Sequence, residues 1–317
     1  MITWFRDHRW AIWILQFTLV ILPLYLLIRN LIINWESLQQ FHWKIDFLFF
    51  ALALTLLVVA FAIRPIVMQQ VLASLGYRLK YRSCYYLYHI SQLAKYLPGG
   101  FWVAPGRAVL LLSFGVDIVS SGIGIVLEMY LVLVSGVVIF IPYLFLSDIP
   151  QLQSLRLLGL LVILVMFVLI SPRFLNWSVA KVVKFTSKVD VHPLITINQV
   201  IRCLLVLVIF WFLTGLAFYY LILGVYPIAI HYWPLLTAIF SISWTVGFVA
   251  FVTPVGLGVR EGVLALLLVP LFPVPFPTLV ALLARLWWTI VDFLSIVIAF
   301  TIKPSKKGAT VPYHQEK

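Results

Sequence analysis

Apolar runs of about twenty residues alternate along the chain with short connections that are basic or rich in proline and glycine. A helix rises about 1.5 Å per residue and a bilayer's hydrocarbon slab is about 30 Å thick, so runs of this length are long enough to cross it. The pattern predicts spans over residues 10–28, 45–63, 118–141, 155–170, 200–223, 232–252 and 278–302. The first comes after Arg6-Asp7-His8-Arg9 and has no small-residue cleavage site after it. It is expected to stay in the membrane as a signal anchor.

Lysine and arginine give the orientation. Arg64, Arg78, Lys80, Arg82, Lys95 and Arg107 fall in the second connection, and Arg173, Lys181, Lys184 and Lys188 in the fourth. Lys303, Lys306, Lys307 and Lys317 mark the tail, whereas the first, third and fifth connections carry only Arg29, Lys44 and Arg156. Positive loops stay inside, so both termini are expected in the cytoplasm. Seven crossings cannot do that. An eighth is expected in 263–276, ~21 Å long if helical, as a broken element limited by Pro270, Pro273, Pro275 and Pro277.

Two segments depart from a simple span. Residues 108–146 are apolar apart from Asp117, Glu128 and scattered serines, and as one helix would be ~58 Å long, about twice the slab. A break is expected at Gly115-Val116-Asp117, where glycine frees the backbone and aspartate can cap the next helix. Upstream lie an aromatic helix candidate at 85–96 and the turns Leu97-Pro98-Gly99-Gly100 and Ala104-Pro105-Gly106-Arg107. The order recurs late in the chain. There Thr253-Pro254-Val255-Gly256-Leu257-Gly258-Val259-Arg260-Glu261-Gly262 precedes a short leucine-rich stretch, a proline break and the last span. Each copy is read as an arginine opening a short helix after a Pro/Gly turn. Interrupted hydrophobic segments at matching places in two halves point to a binding site near the bilayer midplane. Free N–H groups at a helix start, beside an arginine, suit a phosphate.

Composition narrows the class. The chain is 64% hydrophobic and 10% charged, against roughly 25% charged for soluble domains. This leaves an all-α polytopic membrane protein. It is expected to be one integral domain over 1–317 with about eight transmembrane helices and two related halves. Re-entrant-like pieces are expected at 84–116 and 253–277, a basic cytoplasmic loop at 171–199 and a basic tail at 303–317. The net charge of +12 fits basic loops against anionic lipid rather than nucleic-acid binding. Cys84 and Cys203 read as small apolar residues.

Ionisable residues inside spans are costly and mark partners or pathways. Glu128, Arg202, Arg285 and Asp292 qualify. Arg285 and Asp292 lie two helical turns apart on one face, and Asp117 and Glu128 three turns. Arg285 either neutralises Glu128 or Asp292, or holds an anion. The closest acidic residues in sequence are Glu36 and Asp46, so no local carboxylate cluster for Mg²⁺ is present. No cofactor or metal is expected. No phosphate-binding GxxxxGK[ST] loop occurs. The histidines mostly flank spans and are expected at the interfaces. Trp10, Trp35, Trp43, Tyr232 and Trp233 read as an aromatic belt, Trp287 and Trp288 as packing residues, and 181–188 as a basic surface helix.

Pro254-Val255-Gly256-Leu257-Gly258-Val259-Arg260-Glu261-Gly262, preceded by Lys95-Tyr96-Leu97-Pro98-Gly99-Gly100, resembles the lysylphosphatidylglycerol synthase transmembrane-region family. The resemblance implies about eight spans with re-entrant pieces, an inner-membrane location, and handling of lipids or lipid-linked polar groups. The synthases also carry a soluble transferase domain. This chain ends about 15 residues after its last span, so a stand-alone member without aminoacyl transfer is expected. The first motif is looser, with Phe101-Trp102-Val103 between its glycines and Arg107.

The leading expectation is a flippase-like translocator of an anionic phospholipid or polyprenyl-phosphate lipid. Its expected substrate-binding residues are Arg107, Arg260, Glu261, Arg285, Asp292 and Glu128, with the turn residues Pro98, Gly99, Gly100, Pro254, Gly256 and Gly258. One alternative is a lipid-modifying membrane enzyme, such as a glycosyltransferase using Glu36 or Asp46. Another is a non-catalytic partner of a separate synthase or transferase. A homodimer is a further possibility under each.

Overall fold

The computed structural model describes residues 45–96, 102–146, 156–186, 195–250 and 258–304, together with isolated positions 25, 28, 29, 31–33, 36 and 153. The span expected at 10–28 and most of the basic tail lie outside the described residues. Within them the chain is all-helical. The helices are α1 (Phe47–Ser74), α2 (Tyr81–Gln92), α3 (Val103–Leu112), α4 (Ile118–Leu146), α5 (Arg156–Ile170), α6 (Pro172–Thr186), α7 (Ile197–Leu223), α8 (Trp233–Val249), α9 (Val259–Leu268) and α10 (Phe276–Thr301). Short 3₁₀ turns cover Leu93–Tyr96 and Ile230–Tyr232.

Five helical stretches are long and apolar enough to cross a membrane: α1, α4, α7, Ile230–Val249 and α10. The protein is therefore a multi-pass helical membrane protein. The short α3 and α9, ten residues each, extend only ~15 Å, half the slab.

Local chemistry accounts for most of the boundaries. Asp46 caps α1 by accepting the Leu48 N–H at 2.9 Å, and Thr196 and Gln199 form a reciprocal capping box at the start of α7. The expected break in the long apolar stretch falls between α3 and α4. Gly115 there takes φ +83°, and Asp117 Oδ1 accepts the N–H groups of Val119 and Ser120, both at 2.9 Å. The Tyr77 hydroxyl holds the other Asp117 oxygen at 2.5 Å, tying this elbow to the end of α1.

Three expectations are revised. The span drawn at 45–63 continues to Ser74, because the apolar face persists beyond Arg64 and Pro65 through buried Val67, Met68, Val71 and Leu72. The turn drawn at Ala104-Pro105-Gly106 is instead the first turn of α3. A first-turn proline forfeits no hydrogen bond, since its N–H would have had no helical partner. The loop drawn at 171–199 contains α6, with Lys181 over the Trp177 ring at 4.9 Å, and it ends in the first turn of α7.

The main core is built on the α1–α7 pair, with α4, α8, α9 and α10 around it. A second cluster joins the end of α1 to α2, α3 and the start of α4. Small residues let the helices approach closely, as membrane interiors favour. Gly215 of α7 lies directly against Thr237 of α8, and Trp211 Nε1 donates to Ser135 Oγ of α4 at 2.9 Å.

Candidate functional site

The short helices α3 and α9 bring their arginines into the protein interior. Arg107 is 1% exposed and Arg260 5%. Their surroundings differ.

Arg107 sits in the second turn of α3, which packs between α2 and α4. Its Nη1 donates to Glu128 Oε2 of α4 at 2.6 Å, and its Nε donates to Ser91 Oγ of α2 at 2.9 Å. The guanidinium also lies over the Tyr88 ring, 4.4 Å from its centroid. The second Glu128 oxygen faces Arg64 Nη2 of α1 at 3.7 Å. Arg64 in turn is walled by the rings of Tyr88, Phe210 and Trp244 at 5.2–5.6 Å. Glu128 thus serves two guanidinium groups. Such charge-assisted pairs are the strong ones when water is excluded.

Arg260 is the second residue of α9. Gly258 starts that helix at φ +83°, a conformation that favours glycine. Its N–H donates to Glu261 Oε2 at 2.7 Å, and Glu261 Oε1 faces Arg285 Nη1 of α10 at 3.4 Å. The Arg260 guanidinium lies over Trp288 and Phe240, 4.4 and 4.9 Å from their centroids. Its Nη2 has no hydrogen-bond partner among the described residues, and no carboxylate there pairs with it. A fourth pair links Lys95 to Asp292 of α10, and Tyr96 stacks on Phe293 at 5.1 Å.

A continuous run of rings joins the two arginines. Trp288 meets Phe61 at 4.9 Å, Phe61 meets His89 at 6.3 Å, and His89 meets Tyr88 at 5.1 Å. The two ends are therefore parts of one interior. Among the described residues it holds five cations, Arg64, Lys95, Arg107, Arg260 and Arg285, against the carboxylates Glu128, Glu261 and Asp292. The formal excess is two positive charges. Isolated charges at membrane depth cost several kcal/mol, so an excess there favours an anion.

The pairing differs from the expected one. Arg285 and Asp292 share a face of α10, but two turns separate them by ~10 Å along the axis, too far for contact. Each takes a partner from another element instead: Glu261 from α9, and Lys95 from the turn after α2. Arg64, Lys95 and Arg107 were expected among the loop charges that set orientation; all three lie inside the fold, leaving Arg78, Lys80 and Arg82 to that connection. Asp117, expected on one face with Glu128, is an exposed cap at the start of α4 whereas Glu128 is buried, and Arg202 is exposed near the start of α7. His89, expected at an interface, is fully buried against Tyr85 and Tyr88. Cys84 and Cys203 are buried free thiols, and Trp287 and Trp288 are packed. Pro98, Gly99, Gly100, Pro254 and Gly256 lie outside the described residues.

Arg64, Lys95, Tyr88 and Ser91 were missing from the expected site. Arg64 carried a readable signal, since the apolar pattern does not stop at it. Lys95 opens the first motif, so it too could have been picked out.

Helix α9 reaches its place through Gly247 of α8. A Cβ there would lie 2.7 Å from Arg260 Cβ and 3.2 Å from its Cα. Gly247→Ala is expected to push the start of α9 outward and cost about 1–3 kcal/mol, measured as a lower midpoint in detergent melts.

Among the described residues no group of three or more His, Cys, Asp or Glu is placed to hold a metal ion. No family model, curated protein or solved structure matches the chain.

Proposed function

We propose that this membrane protein translocates a lipid with an anionic headgroup, either a phospholipid or a polyprenyl phosphate. The observation that carries the proposal is Arg260, a buried guanidinium without a carboxylate partner among the described residues, in an interior whose cations outnumber its acids. A group that must shed water to enter would gain there what it loses outside. The short helices α3 and α9, flanking the cluster on opposite sides of its ring run, resemble the half-helices that frame substrate sites in carriers. The motif likeness to the lysylphosphatidylglycerol synthase transmembrane-region family supports a lipid as cargo. In this reading both termini are cytoplasmic and the membrane is the inner one.

The test is headgroup movement in proteoliposomes carrying fluorescent anionic and zwitterionic lipids. Wild-type protein is expected to accelerate exchange of the anionic probe selectively. Rates equal to those of protein-free vesicles would contradict the reading.

A further inference from the structure

We infer that the α9 end of the cluster is a phosphate-binding site in which Glu261 stands in for the ligand. The Glu261 carboxylate lies at a helix N-terminus, taking the Gly258 N–H at 2.7 Å and facing the Arg285 guanidinium at 3.4 Å. An amide at a helix start and a guanidinium are the donors that a phosphate oxygen uses. Glu261 does not fill the site. Arg260 lies within electrostatic reach of Arg285, Glu261 and Asp292, yet its Nη2 is buried without an acceptor among the described residues. Lys95, held by Asp292, is close enough to both arginines to be repelled by them.

Among the described residues three cations therefore share two carboxylates at this end, and one further anion balances them. A phosphate has the oxygens to bridge Arg260 and Arg285 together, displacing Glu261 from the looser of its two contacts. Arg107 takes no part. Its guanidinium is already engaged by Glu128, Ser91 and Tyr88. The two motif arginines have different tasks: Arg107 braces the fold and Arg260 receives the ligand. The inference rests on the translocator reading for the lipid that bears the phosphate, but not for the site itself.

Titration of the detergent-purified full chain tests it, using dihexanoyl phosphatidic acid, inorganic phosphate and dihexanoyl phosphatidylcholine. Wild type is expected to bind phosphatidic acid saturably and phosphatidylcholine far more weakly. Arg260→Gln is expected to lose at least about tenfold in affinity, the worth of one charge-assisted bond, while Arg260→Lys keeps most of it. Glu261→Gln is the decisive variant. Its amide oxygen still accepts the Gly258 N–H, so the helix cap survives, while the competing charge is gone. It is expected to bind about tenfold more tightly. An unchanged or weaker Glu261→Gln, an unaffected Arg260→Gln, or equal binding of phosphatidylcholine would overturn the site. Inorganic phosphate binding as tightly as phosphatidic acid would overturn the lipid source. Tight binding by a protein that moves no lipid would overturn the carrier reading alone.

Discussion

Glu128→Ala is expected to lower stability by about 3–5 kcal/mol, the largest effect of any single substitution in this interior. The change removes the carboxylate shared by Arg107 at 2.6 Å and Arg64 at 3.7 Å. Among the described residues both guanidinium groups, one buried and one largely so, then lose their counter-charge. The Arg107 side chain is 2% exposed and that of Arg64 12%. Arg107 is enclosed by Ser91 and Tyr88, and Arg64 by three aromatic rings. The measurement is the unfolding midpoint and the monodisperse fraction in detergent. The double variant Arg107→Met with Glu128→Leu is expected to lose less than the sum of its two single changes, since a buried pair replaced as a whole strands fewer charges. Losses that simply add would mean that Arg107 and Glu128 do not support one another.

Gly215→Ala is the second large effect, and its cause is purely steric. A Cβ on Gly215 would lie 1.9 Å from Thr237 Oγ1, 2.5 Å from its Cβ and 2.7 Å from its Cα. Rotating the threonine side chain cannot relieve the last contact, which is to backbone. Helices α7 and α8 must separate, and overpacking of this kind costs about 1–3 kcal/mol or more. The packing around Trp211, whose indole reaches Ser135 of α4, would shift with them. Gly122 in α4 gives the matching control, because a Cβ there meets nothing within 4 Å. Gly122→Ala is expected to be neutral, or to stabilise by up to about 1 kcal/mol through helix propensity. Melting curves for the two variants should therefore move apart. Similar shifts for both would contradict the close packing of α7 on α8.

How far the sequence foretold these features depends on how local each one is. Hydropathy located the apolar helices, because a run that crosses lipid satisfies its own backbone and needs no partner to declare itself. The break at Gly115 and Asp117 was readable for the same reason: glycine and a capping carboxylate act within one turn. The α1 boundary was missed where a single arginine and a proline interrupt an otherwise apolar helix. The continuing apolar pattern could have placed Arg64 inside a helix, but its partners Glu128, Phe210 and Trp244 come from three other helices and leave no local mark.

Partner choice was the least readable property. Helical spacing correctly put Arg285 and Asp292 on one face of α10, yet sharing a face at two turns' distance does not make a contact. Which helices come beside α10 is a matter of tertiary packing, and it delivered Glu261 to one residue and Lys95 to the other. The motif arginines were found by their place after Pro/Gly-rich stretches of the sequence. Their division into an Arg107 paired with a carboxylate and an Arg260 without such a pair among the described residues depends on Glu128 and Ser91, which lie 21 and 16 residues from Arg107.

On the proposed reading, the charge of Arg260, without a carboxylate partner among the described residues, draws an anionic lipid into the protein. Native mass spectrometry of the purified full chain reads this most directly, with wild type compared against Arg260→Gln from the same membranes. Wild type is expected to retain a phosphate-bearing anionic lipid, and the variant, folded and equally abundant, to lose it. Equal retention by both proteins, or only zwitterionic lipid on the wild type, would contradict it.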